Sequence, residues 1–207
     1  MNIKMLKAAL AGLVLSVSGF ANAGLITTID AGATNHVFAS SLDSGVGPIS
    51  ENGITWTASS DGYYGYDNSW GLSSNGSWNN MNLIGLNNSF GSLTVTFDSL
   101  VSEVLAFVNY AGGGGYPQAS IGIYDINDVL LESFDLNDSV ANGTVNGGWD
   151  YGFARNTAEI KSIKFNNAYI VATNLRSYVQ TDIPEPSILA IFALAVMGLA
   201  SCRFQKQ

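Results

Sequence analysis

From Ser92 to Asp98 the chain reads SLTVTFD, with Leu93, Val95 and Phe97 on one side and Thr94, Thr96 and Asp98 on the other. A period of two marks a strand with one buried face. Similar runs lie at 25–30, 53–58, 104–109, 119–124, 129–134, 160–165 and 169–173, and Val104 to Val108 is apolar on both faces, as a covered central strand should be. Between runs stand Asn52-Gly53, Asp61-Gly62, Asn75-Gly76, Asn142-Gly143 and Asn146-Gly147. Asn, Asp and Gly accept positive φ cheaply, so these pairs favour tight turns. No stretch of the body carries a long helical period with a cap. The pattern predicts an all-β domain over 24–182, a two-sheet β-sandwich of jelly-roll type with about eight to ten strands. Its expected core includes Leu93, Val95, Phe97, Val104, Ala106, Val108, Ile121, Ile123, Ile163 and Phe165.

The two ends follow different rules. MNIKMLK is basic, Ala8 to Val17 is apolar, and Ala21-Asn22-Ala23 puts small residues at the two positions that a signal peptidase reads. Residues 1–23 are therefore expected to be a signal peptide, with the mature body beginning at Gly24. At the other end, 188–201 is a run of 14 residues without a charge. As a helix it reaches about 21 Å against a hydrocarbon core of roughly 30 Å, so it suits a transient membrane segment. Pro184 and Pro186 hold the peptide ahead of it extended. Arg203 and Lys206 keep the extreme C-terminus in the cytoplasm and leave the body outside.

This order of elements resembles the PEP-CTERM sorting signal of Gram-negative bacteria. The resemblance covers Ile183 to Gln207 and no more of the chain. It implies that Pro184, Glu185 and Pro186 are the motif read by an exosortase, with Arg203 as the basic stop. The family often ends in an arginine cluster, where here Cys202 precedes a lone Arg203. Implied partners are an exosortase and a signal peptidase, with the inner membrane crossed in transit through 188–201. The implied destination is the cell surface or extracellular matrix.

Composition narrows what the body can do. Charged residues make up 12% of the chain, and between Gly24 and Asp182 four cations (Arg155, Lys161, Lys164, Arg176) stand against fifteen acids. No Lys or Arg occurs from Gly24 to Ala154. Nucleic acid and anionic headgroups are excluded as partners, because binding them needs cations on phosphate. Cys202 is the only cysteine, so no intrachain disulfide forms.

Catalytic signals are missing. His36 is the sole histidine, Gly-x-Ser-x-Gly is absent, and Gly112 to Gly115 lacks the Lys of a phosphate loop. No catalytic residue and no metal ligand set is assigned. Asp125-Ile126-Asn127-Asp128 recurs as Asp135-Leu136-Asn137-Asp138, the only hint of calcium. The strand between them separates the two by roughly 20 Å or more, and Val129 and Val140 stand where an EF-hand loop needs a ligand or glycine. Two turns bracketing one strand is the simpler reading, with no cofactor.

The stretch from Trp56 to Trp78 sets Tyr63, Tyr64, Tyr66, Trp70 and Trp78 among Gly, Ser, Asn and Asp. Exposed on loops, such rings offer flat apolar faces to sugars while Asn and Asp bond hydroxyls. They are the candidate glycan-binding residues; folded back, they would instead form a lid over the sandwich end. Tyr110, Tyr116, Trp149 and Tyr151 are further aromatics that the fold can bring near. The first expectation is an exported structural or adhesive protein without catalysis. The alternative is a carbohydrate-binding module for extracellular polysaccharide, and the second alternative a secreted glycan-active hydrolase.

The tail gives a direct test. Replacing Pro184, Glu185 and Pro186 by Ala removes the motif and lets the helix extend backwards, since Ala favours helix where proline blocks it. In a host with an exosortase, fractionation should find the variant uncleaved in the inner membrane while the wild type moves outward. Equal processing of both would reduce the tail to a generic hydrophobic end.

Overall fold

The computed structural model describes residues 24–38, 43–67, 81–112, 115–136 and 147–180. The expected signal peptide, including Ala21 and Ala23, and the expected sorting tail, including Pro184, Glu185, Pro186 and Arg203, lie outside these residues. Among the described residues there are fourteen strands and no helix. They are β1 Gly24–Ile26, β2 Thr34–His36, β3 Asp43–Gly45, β4 Ile49–Glu51, β5 Ile54–Ala58, β6 Gly62–Asp67 and β7 Met81–Leu86. The second half contributes β8 Ser92–Val101, β9 Glu103–Asn109, β10 Ser120–Tyr124, β11 Leu130–Asp135, β12 Trp149–Ala154, β13 Ile160–Asn166 and β14 Val171–Tyr178.

These form two antiparallel sheets. The eight-stranded sheet runs β1-β12-β9-β14-β7-β6-β3, with β2 also paired to β14. The six-stranded sheet runs β11-β10-β13-β8-β5-β4. The alternation in β8 buries Leu93, Val95 and Phe97, and cross-strand register sets Val95 between Trp56 and Ile163. From the other sheet Ile84, Val104, Ala106, Val108, Phe153 and Ala172 enter the same core. All ten residues expected in the core are buried. Removing a side chain of this size from water contributes about 1.5–3 kcal/mol, which with no described disulfide makes packing the main stabiliser.

Strand number exceeds the expectation because β2, β3 and β4 have three residues each, too few to show a period, and β6, β7 and β12 carry no clean alternation. The Asn52-Gly53 pair does form a two-residue hairpin turn between β4 and β5, with φ of 49° and 80°. Asp61-Gly62 instead leads into β6.

Gly152 shows how closely the backbones approach. A Cβ there would stand 2.0 Å from the Val104 carbonyl oxygen and 2.8 Å from the Leu105 Cα. Backbone cannot give way as a flexible side chain can. Gly152→Ala is expected to destabilise the fold by about 2–3 kcal/mol, a Tm decrease of roughly 4–12 °C. Ser133→Ala, on an exposed strand position, should change Tm little. Calorimetry of both variants checks the contrast, and an unshifted Gly152→Ala would contradict the register.

Candidate functional site: a gap in the eight-stranded sheet

β14 gives one edge to β9 and shares the other. Val171, Ala172 and Thr173 pair with Gly85, Ile84 and Leu83 of β7, whereas Leu175, Arg176 and Ser177 pair with His36, Asn35 and Thr34 of β2. Asn174 falls between the two ladders at φ 49°, a left-handed conformation that Asn tolerates better than most residues. It sits within a register shift between Thr173 and Arg176 against β9. The end of β2 and the start of β7 both run towards this point. Two chains cannot occupy one edge position, so they part.

The parting leaves a recess of about 220 Å³ lined by Asn35, His36, Val37, Phe38, Met81, Asn82 and Asn174. Its walls are pinned from both sides. The Asn82 amide nitrogen donates to the Phe38 carbonyl at 2.7 Å, and the Thr173 hydroxyl donates to the Asn82 carbonyl at 2.6 Å. Asn52, from the β4–β5 turn of the other sheet, donates its amide to the Val37 carbonyl at 2.5 Å. Among the described residues no carboxylate, Lys or Arg lines the recess.

His36 is buried and fully used. Its Nδ1 lies 2.9 Å from the Asn52 carbonyl, which can only accept, so Nδ1 carries hydrogen. In the neutral ring Nε2 then accepts from the Ser177 hydroxyl at 2.8 Å. A Ser-His pair at this distance resembles part of a triad, but Ser177 is only 5% exposed and the third partner is a carbonyl, not a carboxylate. A nucleophile closed inside the sandwich cannot meet a substrate.

The aromatic stretch is distributed differently from the loop expected of it. Residues 62–67 are strand, so Tyr63 and Tyr64 point to opposite faces. Tyr64 packs against the core with its ring 4.9 Å from that of the fully buried Trp56. Tyr63 lies on the outer face over Leu83 and Val171, together with Met81, Phe107 and Tyr169. Tyr116 meets Tyr169 edge-on at 5.7 Å, which joins it to this patch. Tyr110 is buried, Trp149 is half-exposed on β12, and Tyr151 packs on the core beside Phe134, where burial raises its phenol pKa. Tyr66 pairs through its backbone with Asn82. Trp70 and Trp78 lie outside the described residues. Met81 belongs both to the outer aromatic patch and to the recess.

Sequence reasoning missed Asn35, Asn82 and Asn174. Far apart in the chain, they carry no shared motif, and only the pairing of β14 with two strands brings them together.

The Asp125 loop is a turn closed on itself. Its Oδ1 accepts from the backbone N–H of Val129 and of Asn127, both at 2.8 Å. These bonds, Val129 first, hold its carboxyl below the usual range. Asp128 at φ 60° is paired with Lys164 at 2.8 Å. The loop joins β10 to β11, and Asp135 ends β11; Asn137 and Asp138 of the repeat lie outside the described residues. Among the described residues no three His, Cys, Asp or Glu side chains stand together as a metal site.

No protein-family model matches the chain, and no curated protein matches it. Among solved structures it is similar to a Streptococcus pneumoniae fucose binding module, at 11% identity over 74% of this chain and 100% of that one, with a TM-score of 0.35. It is also similar to CsCBM6-3 from Clostridium stercorarium, solved in complex with cellobiose, at 18% identity over 49% of this chain and 76% of that one, TM-score 0.33. A third is CpGH89CBM32-6 produced by Clostridium perfringens, at 12% identity over 63% of this chain and 96% of that one, TM-score 0.32. Overlap of this order identifies no family. The functional reading is built from the recess.

Proposed function

We propose that the chain is an exported, non-catalytic adhesive protein that binds a neutral glycan in the recess at Asn174, delivered to the cell surface or matrix by the PEP-CTERM tail. The observation that carries this reading is the lining: three asparagine side chains beside Val37, Phe38 and Met81, with no charged group among them. An asparagine amide both donates and accepts, which suits the hydroxyls of a sugar ring, while the apolar members suit its C–H face. The recess is below the ~300–1,000 Å³ of drug-sized ligand sites, which favours one ring, as at a chain end or branch, over a long oligosaccharide. The acidic body repels anionic polymers and leaves neutral ones free to approach.

The purified full chain, kept in mild detergent for its tail, should bind neutral glycans on an array. Asn174→Gly keeps the positive φ while removing the amide, and Asn82→Ala removes the other fixed wall group. Each should weaken binding about tenfold, the effect of one good hydrogen bond, with an unchanged far-ultraviolet dichroism spectrum. An array without a bound neutral glycan would contradict the reading.

A further inference from the structure

Resting on that reading, we infer that the sugar selected is an acetamido sugar, an N-acetylhexosamine rather than a plain hexose. Asn82 is the fixed point of the recess. Its amide nitrogen is committed to the Phe38 carbonyl at 2.7 Å, and its backbone is held by the Thr173 hydroxyl at 2.6 Å. The amide therefore cannot flip, and its Oδ1 is left as a fixed acceptor. Other acceptors nearby are already engaged: the Val37 and Phe38 carbonyls each receive one amide, from Asn52 and Asn82, and both ring nitrogens of His36 are bonded within the protein.

A ligand meeting one fixed acceptor must bring a donor there. A hydroxyl is indifferent, since it rotates to give or take a hydrogen. An acetamido group is not: it has an N–H on one side, a carbonyl on the other and a methyl at its end. The lining answers each part. Asn82 Oδ1 accepts the N–H, the exposed amides of Asn35 and Asn174 are donors for the carbonyl, and Met81 and Val37 are the apolar neighbours for the methyl. A plain hexose fills the methyl position with nothing, so part of the apolar wall stays wet. An amino sugar without the acetyl brings a charge that no lining residue pairs, which is costly in a recess. Selectivity thus arises from one oriented acceptor next to an apolar wall, and needs neither metal nor charge.

The test is calorimetric titration of the full chain with N-acetylglucosamine, glucose and glucosamine. N-acetylglucosamine should bind about tenfold or more tightly than glucose, with glucosamine weakest. Asn82→Ala should bring the N-acetylglucosamine to glucose ratio close to one. Met81→Ser should do the same through the methyl contact, and covers the case in which the Asn82 variant fails to fold. Asn35→Ala, on the exposed edge of β2, should weaken both sugars more evenly. Glucose binding as well as N-acetylglucosamine in the wild type would overturn the acetamido inference while leaving the glycan reading in place. A flat titration for all three sugars beside a positive glycan array would also overturn it, and a flat titration beside a blank array would remove both.

Discussion

β14 is the strand on which the eight-stranded sheet depends, because it serves three neighbours with two edges. One edge meets β9 over most of its length, and the other is divided between β7 and β2. Backbone donors and acceptors buried in a sandwich must all be paired, so a divided edge has to be finished by other means. Beyond β7, the Leu86 N–H reaches the Ile170 carbonyl at 2.8 Å. At the far end the Ser102 N–H and hydroxyl both donate to the Tyr178 carbonyl, and the Ser102 oxygen accepts from the Gln180 N–H at 2.6 Å. At Asn174, where the residue is exposed, neither β7 nor β2 pairs with β14. The recess is the consequence of that one unfinished position.

The same economy governs the sheet borders. β1, β3 and β4 are three-residue border strands, too short to template a further strand. β11 is longer, but a bulge between Ile123 and Tyr124 distorts its pairing with β10, and Glu132 stands opposite Ile123 on the core side. Arg155 bonds Glu159 at 2.5 Å and lies 3.9 Å from Glu132, whose buried Oε2 has no hydrogen bond among the described residues. The inward-facing charge thus rests on a long ion pair where it blocks edge-to-edge association. With so few cations in the body, their placement beside edges and turns matters more than their number: Lys164 holds Asp128, and Arg176 holds Asp150 at 3.1 Å.

How far the sequence alone was informative depends on strand length and on composition. Runs such as Ser92 to Asp98 announce themselves because alternation needs only five or six residues with one dry face, and those runs supplied the whole expected core. β6 and β12, GYYGYD and WDYGFA, mix Gly with aromatics on both faces and show no clean period, so the first was taken for loop. That error propagated to the site: once 62–67 is a strand, Tyr64 goes inward to Trp56, and Tyr63 outward to Leu83 and Val171. The recess was illegible for a different reason. Asn35, Asn82 and Asn174 come from three strands, and their meeting depends on pairings that no local pattern encodes. Only Asn174 left a trace, as an asparagine interrupting an otherwise regular run, where a left-handed residue breaks the ladder.

On the proposed function, ligand sits in the gap beside Asn174. Backbone amide chemical shifts of the isotopically labelled full chain, followed as a neutral glycan is added, test it most directly. Shifts should concentrate at 35–38, 81–82 and 174, with the outer face of the six-stranded sheet unmoved. Changes centred on that face, with residues 35–38, 81–82 and 174 silent, would contradict it.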